Sequence, residues 1–275
     1  MDRDGWIGSV GDVWASEWRR TDRSFAGLVP HLNAAILARA PGAGIAVDVG
    51  SGAGGTALAL AAARPGLSVI GIDLSPALVA VARGRASGLP NLAFRSGLVE
   101  EVVGEVRPVD LIVSHHGVLF FADPVAGLRA LRASASLRTW LVFSCFGDVA
   151  RNGWASETMA AVAGGPPARP GGYAPGPFGF SDPGFVAGVL DRAGWRAEPP
   201  EAVEFAYRAG AGNNPVVDAL DFFKRIGPVA SLLRALPPGD ADAATVRLRM
   251  AVERRARPDG VDFPAMAWLW SARAV

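Results

Sequence analysis

Val47-Asp48-Val49-Gly50-Ser51-Gly52-Ala53-Gly54-Gly55 is the stretch that decides how this chain folds. An apolar run from Gly44 to Val49 ends in an acid and a glycine-rich turn, and helix-forming sequence follows at once from Thr56 to Arg64. That order predicts a strand, a tight loop and a helix, an arrangement in which backbone N–H groups can approach a ligand closely. The next apolar run, Leu67 to Ile72, ends in Asp73, twenty-three positions after Gly50. An acid at that distance falls at the tip of the second parallel strand, where it can accept both hydroxyls of a ribose. The pair of features points to an adenosine-containing cofactor.

Outward from this stretch, strands and helices alternate. Expected strands are Ile45–Val49, Ser68–Asp73, Leu92–Arg95, Val109–Ser114 and Thr139–Phe146. Ser75-Pro76 and Asp123-Pro124 each read as a capping residue followed by proline at the first helical position. Residues 98–107 read as a weak helix. The alternation predicts an α/β fold with a doubly wound, mostly parallel sheet. Before it, residues 1–40 read as helices, with Trp14 and Trp18 four apart on one face. From Gly164 to Gly179, eleven of sixteen residues are Gly or Pro, which excludes a regular element there. The expectation is a mobile loop on the substrate side. A helix from Ser181-Asp182-Pro183, a strand from Arg196 to Tyr207, helices between Pro215 and Arg257, and a last strand from Val261 to Arg273 complete the chain.

Composition narrows the function classes. The chain has 275 residues, half of them hydrophobic, enough for one large domain with insertions. Its net charge is +1 with mixed signs, which is not the footprint of a nucleic-acid binder. No apolar run approaches the roughly eighteen residues of a membrane span. The charged start, Met1-Asp2-Arg3-Asp4, lacks an apolar signal core, and the single cysteine, Cys145, cannot form an internal disulfide. A cytoplasmic location is expected. No zinc or magnesium ligand spacing is visible, so no metal is expected.

Taken loosely, the glycine stretch also fits G-x-G-x-x-G, the dinucleotide fingerprint. Three features argue against that reading. Asp48 stands where dinucleotide folds usually carry an apolar strand residue. Some forty residues precede the loop. The sheet ends in a strand–helices–strand unit and not a second mononucleotide half. A carboxylate at Asp48 suits a cofactor with positive charge and an amino group, such as S-adenosylmethionine (SAM).

The chain resembles the class I SAM-dependent methyltransferases. The likeness is carried by Val47 to Gly54, by Gly71-Ile72-Asp73-Leu74-Ser75, and by Val109-Asp110-Leu111-Ile112-Val113-Ser114. His116-Gly117-Val118-Leu119-Phe120-Phe121-Ala122-Asp123-Pro124, Phe222 to Pro228 and Pro258 to Val261 are similar to a bacterial small-molecule branch related to quinone-biosynthesis methyltransferases. The resemblance implies a Rossmann-like, seven-stranded sheet in one domain over 1–275. Its parts would be an N-terminal helical cap (1–42), a SAM-binding core (43–147), a Gly/Pro-rich substrate-side loop (148–180) and a helical insertion (211–258).

It also implies roles. Gly50, Ser51, Gly52 and Gly54 would meet the amino-acid part of SAM, with Asp48 beneath. Asp73 would hold the ribose and Leu74 would flank the adenine. Ser114 and His115 would line the site near the methyl group. After the third strand this family commonly has Gly-Asp. Here Gly97-Leu98 stand in that place, so the hydrogen bond to the adenine amino group falls to the backbone near Val99, falls to Glu100, or is absent.

The activity implied is transfer of a methyl group to a small-molecule acceptor. A general base is needed only if the acceptor keeps its proton at neutral pH. The candidates are His115 and His116, at the cofactor edge of the fourth strand. Adjacent strand residues alternate, so one of the two is expected to face the substrate. Aromatic side chains, Trp14, Trp18, Phe178, Phe180, Phe222 and Phe223, suggest an apolar acceptor pocket. An NAD(P)-dependent oxidoreductase and a SAM-binding protein without methyl transfer are the alternative readings. The oligomeric state is not legible.

Overall fold

The structure is a computed structural model that describes residues 3–165 and 172–275. Four helices come first: α1 (Arg3–Ile7), α2 (Ser9–Ser16), α3 (Trp18–Ser24) and α4 (Val29–Arg39). The alternating core follows: β1 (Gly44–Val49), α5 (Gly55–Ala63), β2 (Leu67–Asp73), α6 (Pro76–Arg85), β3 (Leu92–Ser96), α7 (Val99–Glu105), β4 (Val109–His115), α8 (Pro124–Ser134) and β5 (Ala135–Phe146). Its helix starts are chemically specified. Ser75 Oγ accepts from Leu78 N–H at 3.2 Å, and Asp123 Oδ1 accepts from the N–H groups of Val125 and Ala126 at 2.9 and 3.0 Å. Both caps are followed by proline, whose missing N–H costs nothing in the first turn.

The second half holds α9 (Gly153–Ala163), α10 (Pro183–Arg192), β6 (Trp195–Ala197) and β7 (Glu201–Gly210). Then come α11 (Pro215–Arg225), α12 (Gly227–Ala235), α13 (Pro238–Glu253), β8 (Ala256–Arg257) and β9 (Gly260–Ala274). Strand order is β3-β2-β1-β4-β5-β9-β6, parallel from β3 to β5, with β9 antiparallel to β5. β6 and β7 both pair with β9, at its Ala272–Ala274 end and along Val261–Leu269. The described residues therefore form nine strands where seven are expected. The expected strand over 196–207 is broken at Pro199-Pro200, which cannot donate to the ladder, and β8 is a two-residue bridge beside the final turn.

Alternation along the strands sorts the core into two layers. Ala46, Val69, Leu111 and Val113 face the side of α4, α5 and α6, while Val47, Ile70, Ile72 and Ile112 face α7 and α8. Three further expectations need correction. Residues 148–180 are not one loop: a 3-10 turn spans Val149–Arg151 and α9 fills Gly153–Ala163. Of the Gly/Pro-rich segment, 166–171 lies outside the described residues. The part that follows is packed, with Gly176 N–H donating to Leu119 C=O at 3.2 Å and the Tyr173 hydroxyl to Phe121 C=O. Trp14 and Trp18 do not share a helix, because the chain breaks between α2 and α3 at Glu17. No helix among the described residues is long and apolar enough to cross a membrane.

Candidate active site

The carboxyl ends of β1, β2, β4 and β5 form one edge, and the sequence-predicted residues meet there. The loop after β1 turns through Gly50 and Gly52 with φ of +64° and +52°. At Gly50 the reason is packing: a Cβ there would lie 2.7 Å from the Gly117 Cα. At Gly52 the reason is different, because no atom of the described residues lies within 4 Å of where its Cβ would project. A left-handed backbone facing open space leaves room for a ligand to approach the chain directly.

Two acids sit beside this loop. Asp73 is nearly buried; its Oδ2 accepts from Gly52 N–H at 2.8 Å and its Oδ1 from Ser75 N–H at 2.9 Å. Each carboxylate oxygen keeps a second lone pair, so both can accept a ligand hydroxyl as well. Burial holds its carboxyl above the usual carboxylate range, and the Ser75 and Gly52 N–H groups oppose that. Asp48 is 1 % exposed, and neither of its oxygens has a well-formed hydrogen bond among the described residues. Burial pushes its carboxyl up to about 8; the Ala57 N–H pulls it down and Asp73 pushes it further up. An unpartnered buried carboxyl is costly, and here it lies under the glycine loop. Ser51 Oγ, in the same loop, is likewise buried without a partner among the described residues.

At the end of β4 the assignment divides. Ser114 is fully buried and its hydroxyl is committed to the fold. It donates to Val49 C=O at 2.7 Å and accepts from the N–H groups of Gly117 and Val118 at 3.0 and 3.2 Å. The Ser114 side chain thus ties β4 to β1 and does not line the site. His115 and His116 do not point to opposite sides, contrary to the alternation rule. His116 has φ +60°, which ends the strand and turns its ring toward that of His115, with centroids 5.2 Å apart. Both rings pack against Phe25, at 4.7 and 4.9 Å. Ser144 Oγ shares a 2.9 Å hydrogen bond with His116 Nδ1, while the Nε2 atoms of both histidines are buried without partners among the described residues. Burial lowers His115 to about 4 and takes His116 well below the ordinary histidine value, helped by His115. Both imidazoles are neutral at physiological pH.

Aromatic rings pack around the two histidines, and of the expected set Phe178 is among them. Phe25 and Phe146 are 5.6 Å apart, Trp154 stacks on Tyr207 at 4.9 Å and on Phe178 at 5.8 Å, and Phe205 lies 6.4 Å from Phe25. Phe146, Trp154, Phe205 and Tyr207 belong to the buried core, as do Phe180, Phe222 and Phe223. Phe25, Phe205 and Tyr207 escape sequence reasoning because they come from the α3–α4 turn and from β7, far from the motifs. Only their alternation in Val203-Glu204-Phe205-Ala206-Tyr207 marks two of them as inward-facing.

The helices before the sheet cover the edge. Trp6 packs on Phe120 at 5.3 Å, and Gly11 sits against Ser75, where even a methyl group would collide. Beyond the ends of β2 and β3, Leu74 and Leu98 are half-buried and Val99 is buried at the start of α7. Gly97, with φ +154°, donates its N–H to Asp73 C=O at 3.0 Å, which holds the two turns together.

Residues 46–136, from β1 into β5, match the family described as "Methyltransferase domain". Over 152 residues the chain is 32 % identical to a release factor glutamine methyltransferase of Xylella fastidiosa, covering 54 % of this chain and 51 % of that protein. It is 34 % identical over 83 residues to a demethylmenaquinone methyltransferase of Chlorobaculum tepidum, covering 30 % of this chain and 33 % of that one. The chain thus spans about half or less of the curated relatives it matches. The fold is also that of the YcgJ protein of Bacillus subtilis, with a TM-score of 0.55, 14 % identity and coverage of 88 % and 97 %.

Proposed function

With residues 46–136 forming a class I SAM-dependent methyltransferase domain, we propose that the chain methylates a hydroxyl or enol on a small apolar or aromatic acceptor. The observation that carries the cofactor side is Asp48, a buried carboxyl with no well-formed hydrogen bond among the described residues, beside a glycine loop whose Gly52 faces open space. Those features fit a ligand with a cationic ammonium and an extended amino-acid part. The loop from Gly50 to Gly54 would hold that part, Asp48 its charge, Asp73 the ribose, and Leu74, Leu98 and Val99 the adenine. Bound SAM supplies an activated methyl carbon and a neutral leaving group.

The acceptor side rests on the histidine pair. A neutral imidazole whose Nε2 has no partner among the described residues, set among aromatic rings, is suited to take a proton from an uncharged hydroxyl. Ser144 Oγ, accepting from Nδ1–H, would fix the tautomer that leaves the His116 Nε2 lone pair free. The nearby rings suit a flat apolar acceptor and exclude water, and alignment in such a site is worth roughly 7–11 kcal/mol. Incubation with methyl-labelled SAM and extract of the producing cell tests this reading. Label is expected in small, organic-extractable products. Label confined to precipitated protein would move the acceptor to a polypeptide.

Two expected results concern the acids. Asp73→Ala is expected to weaken S-adenosylhomocysteine (SAH) binding by at least about 1.5–3 kcal/mol, the range for a hydrogen bond to a charged group. Because Asp73 also holds Gly52 N–H, Asp73→Asn should retain more affinity than alanine; titration calorimetry of both variants is the check. Asp48 predicts proton release. In the free protein it is mostly protonated at pH 7, so its share of stability falls as pH rises from the ordinary carboxylate range toward 8. An ammonium placed beside it favours the carboxylate. SAH binding at pH 7 should therefore release about one proton, seen as a buffer-dependent heat that Asp48→Asn removes. Equal heats in buffers of different ionisation enthalpy would place the ammonium elsewhere.

A further inference from the structure

We propose that Arg85, the last residue of α6, is a positioning residue for the cofactor, clamping the cap helix α3 onto the glycine loop; this rests on the SAM-binding reading above. Three contacts made by one guanidinium carry it. Nη1 donates to Ala53 C=O at 2.7 Å, and Ala53 lies between Gly52 and Gly54. Nη2 donates to Asp22 Oδ2 of α3 at 2.7 Å. The group also lies 4.1 Å over the ring of Trp18, at the start of α3.

The rest of the loop is fixed from below. Ser51 N–H donates to Ile72 C=O at 2.9 Å, Gly54 N–H to Ser51 C=O at 2.8 Å, and Gly52 N–H to Asp73. The Ala53 carbonyl is the point at which the loop is tied to the element above it. Asp22 Oδ1 reaches to 3.9 Å from where a Cβ at Gly55 would stand, so the acid overhangs the start of α5. Ala53 adjoins Gly52, whose open side would receive the cofactor, so the tie through Arg85 holds α3 beside the seat of that ligand. A planar guanidinium can serve a carbonyl, a carboxylate and a ring face at once, whereas an ammonium is a point donor. The clamp should therefore act on release more than on capture.

The test is SAH binding kinetics by stopped flow on the full chain, with thermal melts to confirm folding. Arg85→Met is expected to raise the dissociation rate about tenfold and to change the association rate less than threefold. Arg85→Lys, which keeps the charge, should retain most of the defect. Asp22→Ala should raise dissociation in the same direction, and the Asp22→Ala/Arg85→Met double variant should be no worse than Arg85→Met alone. Wild-type kinetics in a folded Arg85→Met protein, full rescue by lysine, or additive effects in the double variant would each overturn the clamp and leave SAM binding standing. Failure of the unaltered protein to bind SAH would instead remove the reading on which the clamp rests.

Discussion

Gly52→Val is expected to abolish binding of SAM and SAH, a loss of more than about a hundredfold in affinity, roughly 3 kcal/mol, while the protein stays folded. Two effects add. The backbone at Gly52 has φ +52°, a region that costs an L-residue about 1–2 kcal/mol and suits a β-branched one least. The new side chain then projects where no atom of the described residues lies within 4 Å, into the space a ligand would take. The same openness is why the fold should survive, since nothing in the protein is displaced. Gly50→Val is the contrast: its side chain would strike the Gly117 backbone, so that variant is expected to lose stability as well as binding. Thermal melts beside calorimetric titration separate the two cases. Unchanged SAH affinity in a folded Gly52→Val protein would mean that the loop does not face the cofactor.

The second large effect is on rate. Replacement of His116 is expected to lower methyl transfer by about 10²–10⁴ while SAM affinity stays within a few-fold, the pattern of a lost proton acceptor. The substitution must respect the backbone. His116 has φ +60°, so alanine would add strain, whereas His116→Asn tolerates that conformation. His115→Ala should stay within about tenfold, because its ring has no counterpart to the Ser144 contact. Ser144→Ala should fall between them. The pH profile adds an independent check. Burial lowers His115 to about 4 and His116 well below its ordinary value. A base depressed in this way is neutral throughout the physiological range, and its activity is lost only as pH falls well below the ordinary histidine value. The rate should therefore be flat across the physiological range as far as these groups are concerned. A rise with a midpoint near 6.5, or full activity in both single variants and the double variant, would remove histidine catalysis and leave the methyltransferase assignment intact.

The parallel sheet, its alternation with helices and the glycine loop were legible because they rest on local signals. Strand-ending acids such as Asp48 and Asp73, capping pairs such as Ser75-Pro76, and the glycine loop act within a few residues of one another. The acceptor side was not legible to the same degree. Phe25 and Tyr207 are distant in sequence and meet only because the cap helices and the antiparallel β7–β9 pair converge beside the histidines. Arg85 reads as an ordinary helix-terminal cation, and nothing in the sequence shows that it reaches back to Ala53. The alternation rule failed at His115 and His116 for one reason: a positive φ at His116 ends the strand, so both rings lie on the same side. Ser114 was placed on the site by its position, but its hydroxyl is consumed by three contacts beneath the loop. Breaking of the late strand at Pro199-Pro200 was written in the sequence, as two residues that cannot donate to a ladder.

The central claim is that the loop under which Asp48 is buried binds SAM and not a dinucleotide. Calorimetric titration of the full chain with SAH and, separately, with NAD tests it most directly. The expected result is SAH binding in the micromolar range at one site per chain, with no heat from NAD. Tight NAD binding with no response to SAH would contradict it.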